Sequence, residues 1–159
     1  MNINRPYERY QQALKESELH INHLNHALSS TQTIFPMTIK KVQELSLDEV
    51  GAIDQLVFRF IRLQDCIGQK LFHSGLSLLG EPVEQMTMLD KLHRLEKIRV
   101  IENSDQWLFL RELRNNFTHD YPEEEAYKAD ALNELRKASF YLIEVYKNFS
   151  AYINKVRIK

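Results

Sequence analysis

The chain has 159 residues, 43% of them apolar and 27% charged, with only four glycines and four prolines. That length allows one domain with a real core. The abundance of Leu, Glu, Lys, Gln and Arg beside so few helix breakers predicts an all-α protein, an antiparallel up-and-down bundle of about four to five helices over residues 1–159. A formal net charge of −1 excludes the broad basic footprint that drives non-specific nucleic-acid binding, so any RNA contact must be local.

The opening segment, "MNINRPYERYQQALKE", has no apolar run resembling a signal peptide, and no stretch approaches the roughly 20 apolar residues of a membrane span. A soluble cytoplasmic protein without membrane contact is expected. From Pro6 to Leu28, apolar or small residues recur as Tyr7, Tyr10, Leu14, Ser17, Ile21, Leu24 and Leu28, spaced three and four apart, which predicts one amphipathic helix. Three imidazoles, His20, His23 and His26, lie along it in "HINHLNH". Steps of three drift around a helix, leaving His20 beside the apolar seam and the other two on the solvent side, so they cannot converge on one tetrahedral metal ion. "SSTQTIFPM" then breaks the pattern, with Pro36 disfavouring helix at Phe35.

"SLDE", Ser46 to Glu49, has the form of a capping box and predicts the start of a long second helix. Its stripe runs through Val50, Ile53, Val57, Phe60, Ile67, Leu71 and Leu78 to a stop at Gly80 to Pro82. Cys66 falls inside this pattern as a small core residue. A single cysteine leaves no disulfide framework and no thiolate metal site, consistent with a reducing compartment. A shorter third helix is expected in "TMLDKLHRLEKIRVI", capped by Thr87 and Asp90, with Leu89, Leu92, Leu95 and Ile98 inside. Its Lys91, Arg94, Lys97 and Arg99, with Arg111 further on, could face an RNA backbone or form an ordinary charged exterior, since Asp90 and Glu96 are interspersed.

Ser104 is expected to cap a fourth helix, "DQWLFLRELRNNF", with Trp107, Leu110 and Phe117 inward, and "HDYP" to end it. A fifth helix is expected to start at Pro122, with Glu123, Glu124 and Glu125 at the positive end of its dipole. Its stripe includes Leu132, Leu135, Ser139, Leu142, Val145, Tyr146 and Phe149. The aromatic residues Tyr141, Tyr146, Phe149 and Tyr152 suit a core or a dimer seam.

The junction of these two helices, "RNNFTHDYP", carries the strongest chemical signal. Arg114 lies seven residues after Trp107, four after Leu110 and three before Phe117, so it occupies a slot on an apolar stripe. A guanidinium there needs an acid, a ligand or a solvated cleft, because it cannot shed its charge. Asn115 and Asn116 are weak helix formers, Thr118 is β-branched and Pro122 disfavours helix at Tyr121. The helix is therefore expected to end between Arg114 and His119, freeing the imidazole to swing back toward the guanidinium. Arginine can hold a phosphate through a fork of donors, and histidine can take a proton from a ribose 2′-hydroxyl or deliver one to a leaving oxygen. That pair suits phosphodiester cleavage without a metal or other cofactor.

"RNNFTHDY" resembles the Arg, four residues, His, one residue, Tyr motif of the HEPN superfamily, in particular the small bacterial members paired with minimal nucleotidyltransferases in toxin–antitoxin operons. "FRFIRLQDCIGQKLF" and "LHRLEKI...W...LRELRNNFTHDYP" are similar to one subgroup, so the resemblance covers most of Ser46 to Lys147. It implies a helical homodimer in which two motifs face each other across a cleft, and a metal-independent endoribonuclease toxin acting on RNA through Arg114 and His119. It further implies a nucleotidyltransferase antitoxin that transfers AMP to Tyr121, with Asn115 matching a frequent choice after the arginine. The family also places a polar residue on the second long helix, for which Asp65, beside Gln64, is the candidate; Asp54 lies three turns earlier on nearly the same face. Asp65 has an alternative in a surface pair with Arg62 one turn back. The alternative function is a non-catalytic partner that binds the nucleotidyltransferase, and a third is a structural dimer in which Arg114 makes a buried ion pair.

Overall fold

The computed structural model describes residues 5–119 and 121–158. All regular secondary structure among them is helical, as composition and periodicity led us to expect. Helix α1 (Arg5–Ser30) is the first long amphipathic rod, and Tyr10, Ser17, Leu24 and Leu28 on its stripe are buried. Phe35 is extended before Pro36, across a cis peptide bond. A short helix α2 (Ile39–Gln43) follows, and the Asn133 side chain ties its approach to the last helix by bonding both the amide and the carbonyl of Met37.

Helix α3 (Leu47–Asp65) starts at the expected capping box, with Ser46 and Glu49 each accepting from the other's backbone N–H. The rod then passes through a π-helical turn, Cys66–Leu71, before α4 (Phe72–Leu78) completes it. Gly80 ends it with φ 87°, the left-handed conformation that favours glycine after a helix. Helix α5 (Met88–Lys97) has the Thr87 and Asp90 capping box. Leu92 and Leu95 are buried, but Leu89 is 47% exposed and lies outside the core, contrary to its place in the expected stripe.

Helix α6 (Ser104–His119) and the long α7 (Glu125–Ile158) complete the chain. Three local expectations differ here. Asn103, not Ser104, supplies the side-chain acceptor at the start of α6, bonding the amide of Gln106, while Ser104 is held by Glu96 from α5. Pro122 is not the first residue of α7; the Glu124 carboxylate accepts from Ala126 and Tyr127 N–H, so it caps the helix that begins at Glu125. Helix α6 also continues through His119 instead of ending after Arg114. Asp120 of the expected stop lies outside the described residues.

Contacts fix the order of packing. Glu16 and Ser17 of α1 meet Lys70 and Cys66, whereas His20 lies near Arg59 and Arg62, so α1 runs antiparallel to the α3–α4 rod. Arg157 stacks on Tyr7 and the Tyr146 hydroxyl bonds Glu18, which sets α7 antiparallel to α1. Burial raises the Cys66 thiol pKa, in keeping with a core role. One contiguous core draws on all the long helices, with Trp107, Phe72 and Phe149 at its centre.

The glycines of the α3–α4 rod report how tight this packing is. A Cβ at Gly75 would fall 2.5 Å from the Phe149 ring, whereas one at Gly51 meets nothing within 4 Å. Gly75→Ala should therefore destabilise the fold by about 1–3 kcal/mol through overpacking, while Gly51→Ala should stabilise it by about 0.4–1 kcal/mol. Chemical denaturation of the two variants checks this, and opposite shifts of the midpoint are expected.

Candidate functional site

The inward arginine of α6 finds an acid. Arg114 Nε donates to one carboxylate oxygen of Asp65 at 2.9 Å and Nη2 to the other at 2.8 Å, a two-point bridge from α6 to the last residue of α3. The paired side chains are 22% and 26% exposed, so the bridge sits at the edge of the core and is not sealed inside it. Hydrogen bonding to Asp65 raises the Arg114 pKa further above its already high value. Asp65 thus faces Arg114 and makes no pair with Arg62. The third guanidinium nitrogen, Nη1, lies 3.5 Å from the Asn115 side-chain oxygen.

Beside this bridge lies a pocket of about 210 Å³, whose lining includes Gln64, Gly68, Trp107, Arg111, Arg114 and Asn115. It opens where the rod takes its π turn, a geometry that widens the helix by one residue and is often found at functional sites. Gln64 is only 4% exposed. The structure therefore brings Arg114, Asn115 and Asp65 together around one concavity.

His119 is not part of that lining. On a continuous helix it lies about 140° around and about 7.5 Å along from Arg114, and it is exposed at the last position of α6. The expected swing of the imidazole onto the guanidinium does not occur within the chain, because Asn115 and Asn116 hold helical conformation despite their low propensity. Two tertiary bonds help: Asn116 donates to the Tyr127 hydroxyl, and Arg114 bonds Asp65. His119 instead stands one turn beyond Asn115 and two beyond Arg111, all three exposed on one face of α6.

Tyr121 folds back under the end of α6. Its ring packs edge-on against Phe117 at 5.3 Å, and Lys128 Nζ lies 5.3 Å from the ring centre. Burial, then the charges of Asp54 and Glu123 and a hydrogen bond to Asp54, push the phenol up to about 12. The link between Asp54 and Tyr121 was missed from the sequence, although the shared face of Asp54 and Asp65 was the available signal.

Other charged groups are engaged locally. On α5, Arg94 pairs with Glu81, and Lys91 contacts His73 Nδ1 at 3.1 Å, so that helix offers less free charge than its composition suggests. His20 is 8% exposed and His23 and His26 are exposed, as helical geometry requires. Burial, with Arg62 and Arg59 nearby, lowers the His20 pKa. Among the described residues, no cluster of three or more His, Cys, Asp or Glu could hold a metal ion, and no helix is long and apolar enough to cross a membrane.

Comparison with protein-family models, with curated proteins and with solved structures finds no match to this chain.

Two outcomes follow from the geometry. Arg114→Gln and Asp65→Asn, combined in a double-mutant cycle, should show a coupling of about 1–3 kcal/mol in denaturant unfolding, since charged hydrogen bonds at a partly buried site are removed. Tyr121 carries a raised pKa, so its contribution to stability is complete below about pH 10 and is lost as pH rises toward 12. Tyr121→Phe should accordingly lose melting temperature less steeply than the parent across that interval.

Proposed function

We propose that this chain is a metal-independent endoribonuclease of the HEPN type, acting as a homodimeric toxin that a minimal nucleotidyltransferase antitoxin silences. The observation that carries the reading is the Arg114–Asp65 bridge, which holds a guanidinium at a fixed angle on the rim of a polar pocket. Arg114, steadied by Asp65 and with Asn115 beside it, binds the scissile phosphate and offsets charge developing on it. The ribose 2′-hydroxyl attacks phosphorus, the bond to the 5′-oxygen breaks, and a 2′,3′-cyclic phosphate and a free 5′-hydroxyl result. His119 moves the proton, taking it from the attacking hydroxyl or giving it to the leaving oxygen.

Within one chain His119 points away from the Arg114 pocket, so the reading needs a second copy. Two chains joined through the exposed face of α6 would bring the imidazole of one to the guanidinium of the other, with RNA lying between them. Silencing follows from Tyr121: its oxygen attacks the α-phosphorus of ATP, pyrophosphate leaves, and Asp54 is the nearest acceptor for the phenolic proton. The adenylyl group then stands at the end of α6, beside His119.

A second reading is favoured by a specific feature. Arg114 already has a full carboxylate partner, and such a pair also serves a non-catalytic subunit that docks on a nucleotidyltransferase.

The two readings separate on one residue. His119 is exposed, so His119→Ala should leave the melting temperature unchanged while lowering RNA cleavage by about 10²–10⁴-fold, as expected for loss of a proton-transfer group. Cleavage and growth arrest that persist in this variant would remove His119 from the mechanism. Absence of cleavage by the parent, together with stable co-purification with a nucleotidyltransferase, would establish the second reading.

A further inference from the structure

The pocket beside Arg114 holds more than the edge of a guanidinium already paired with Asp65. Its inner wall is a buried amide, Gln64, at a position where the neighbouring stripe of α3 is apolar: Ile53, Val57, Phe60 and Leu63 are all buried hydrocarbon. Gln64 is 4% exposed and its amide, with two donor hydrogens and an acceptor oxygen, makes no hydrogen bond among the described residues and borders the pocket, while the indole N–H of Trp107 in the same lining is buried without a partner. Leaving such a group unpaired is costly, which makes it a point where a ligand gains by entering.

The floor is shaped to match. Gly68, in the middle of the π turn, exposes bare backbone between the amide and the indole. A Cβ there would lie 3.2 Å from Trp107 Cζ2 and 4.0 Å from Gln64 Nε2. The Trp107 ring is itself held by Phe72 with centroids 4.7 Å apart. A volume of about 210 Å³ admits one planar heterocycle and little more. Arg111 and Asn115 stand at the mouth on exposed positions of α6, suited to the sugar and phosphate of whatever enters.

We propose that this pocket is a base-recognition site: it takes a single unpaired nucleobase flanking the phosphate held by Arg114, and Gln64 reads its hydrogen-bonding edge. The inference rests on the ribonuclease reading for the identity of its ligand. An amide offers a donor beside an acceptor, the pattern that matches the edge of a flipped-out base, and single-stranded RNA is the form in which such edges are free. Gln64 is thereby a specificity-determining residue and takes no part in bond cleavage. The enclosed polar recess supplies selectivity that the near-neutral chain cannot obtain from charge.

Trp107 is the chain's single tryptophan and lines the pocket, so its emission reports occupancy directly. Titration of the intact protein with AMP, GMP, CMP and UMP should give a saturable change in that emission, with one base bound at least tenfold more tightly than the weakest. Gln64→Leu, close in volume, should remove that preference. Gly68→Ala, which narrows the same floor, should weaken binding of the favoured nucleotide should the leucine variant fail to fold. His119→Ala should bind as the parent does while failing to cut RNA. Equal affinity for all four nucleotides and for inorganic phosphate, no change in emission at all, or an unaltered preference in Gln64→Leu would overturn the site. A parent that binds one base selectively but cleaves nothing would leave the pocket standing and remove the nuclease reading, whereas His119-dependent cleavage with sequence preference unchanged in Gln64→Leu would do the reverse.

Discussion

A guanidinium on the apolar stripe of a helix constrains everything around it. Arg114 cannot be neutralised, and at 22% exposure it is too enclosed to be solvated fully. Asp65 answers it with both carboxylate oxygens, and a two-point bridge fixes rotation as well as distance. The bridge ties the middle of α6 to the last residue of α3. Trp107 then falls two turns away against Gly68, and Arg111, Asn115 and His119 are turned outward. The pair therefore does two jobs: it fastens the seam between α6 and the α3–α4 rod, and it leaves the face of Arg111, Asn115 and His119 turned outward.

Much of this arrangement was legible from residue types and spacing. The capping boxes at Ser46 and Thr87, the stop at Gly80 and the inward set Trp107, Leu110 and Phe117 are local or periodic features, and such features survive folding unchanged. Asp65 was named only through the resemblance, which implies a polar residue on the second long helix, and its spacing allowed a surface pair with Arg62 equally well. The misses share another cause. Leu89 has the right spacing for the core, but α5 is too short to impose its whole stripe, and nothing covers that side. The end of α6 was misjudged because weak propensities at Asn115 and Asn116, worth a few tenths of a kcal/mol each, were weighed without the tertiary bonds that overrule them. The π turn has almost no local signature: a glycine in an apolar helix predicts a close approach but not the extra residue in the turn.

Charge bears on how the proposed site would recognise RNA. On α5 Arg94 is paired with Glu81 and Lys91 contacts the His73 ring, while on α6 Arg114 is paired with Asp65. A chain with a formal charge of −1 has no field to draw in a polyanion from a distance. What it presents instead is a small polar recess with one guanidinium held rigidly and another, Arg111, at the rim. Binding by such a site depends weakly on salt and strongly on fit, the opposite of a basic groove.

The continuity of α6 bears most directly on mechanism. Had the helix ended after Arg114, one chain could have assembled cation and imidazole over the same phosphate. Because it runs on to His119, the two groups leave the helix in directions about 140° apart and about 7.5 Å apart along its axis. The proposed centre, which uses both, is therefore one shared between two copies, each lending one group. On the proposed reading, a shared centre would leave the isolated chain inert and put activity under whatever controls pairing. Tyr121 lies close by, its ring packed edge-on against Phe117 near the end of α6 and its phenol near Asp54 of α3. A bulky anionic group added there would crowd the face through which the copies are proposed to meet, so on that reading a single modification at the edge of the fold would silence two half-sites at once.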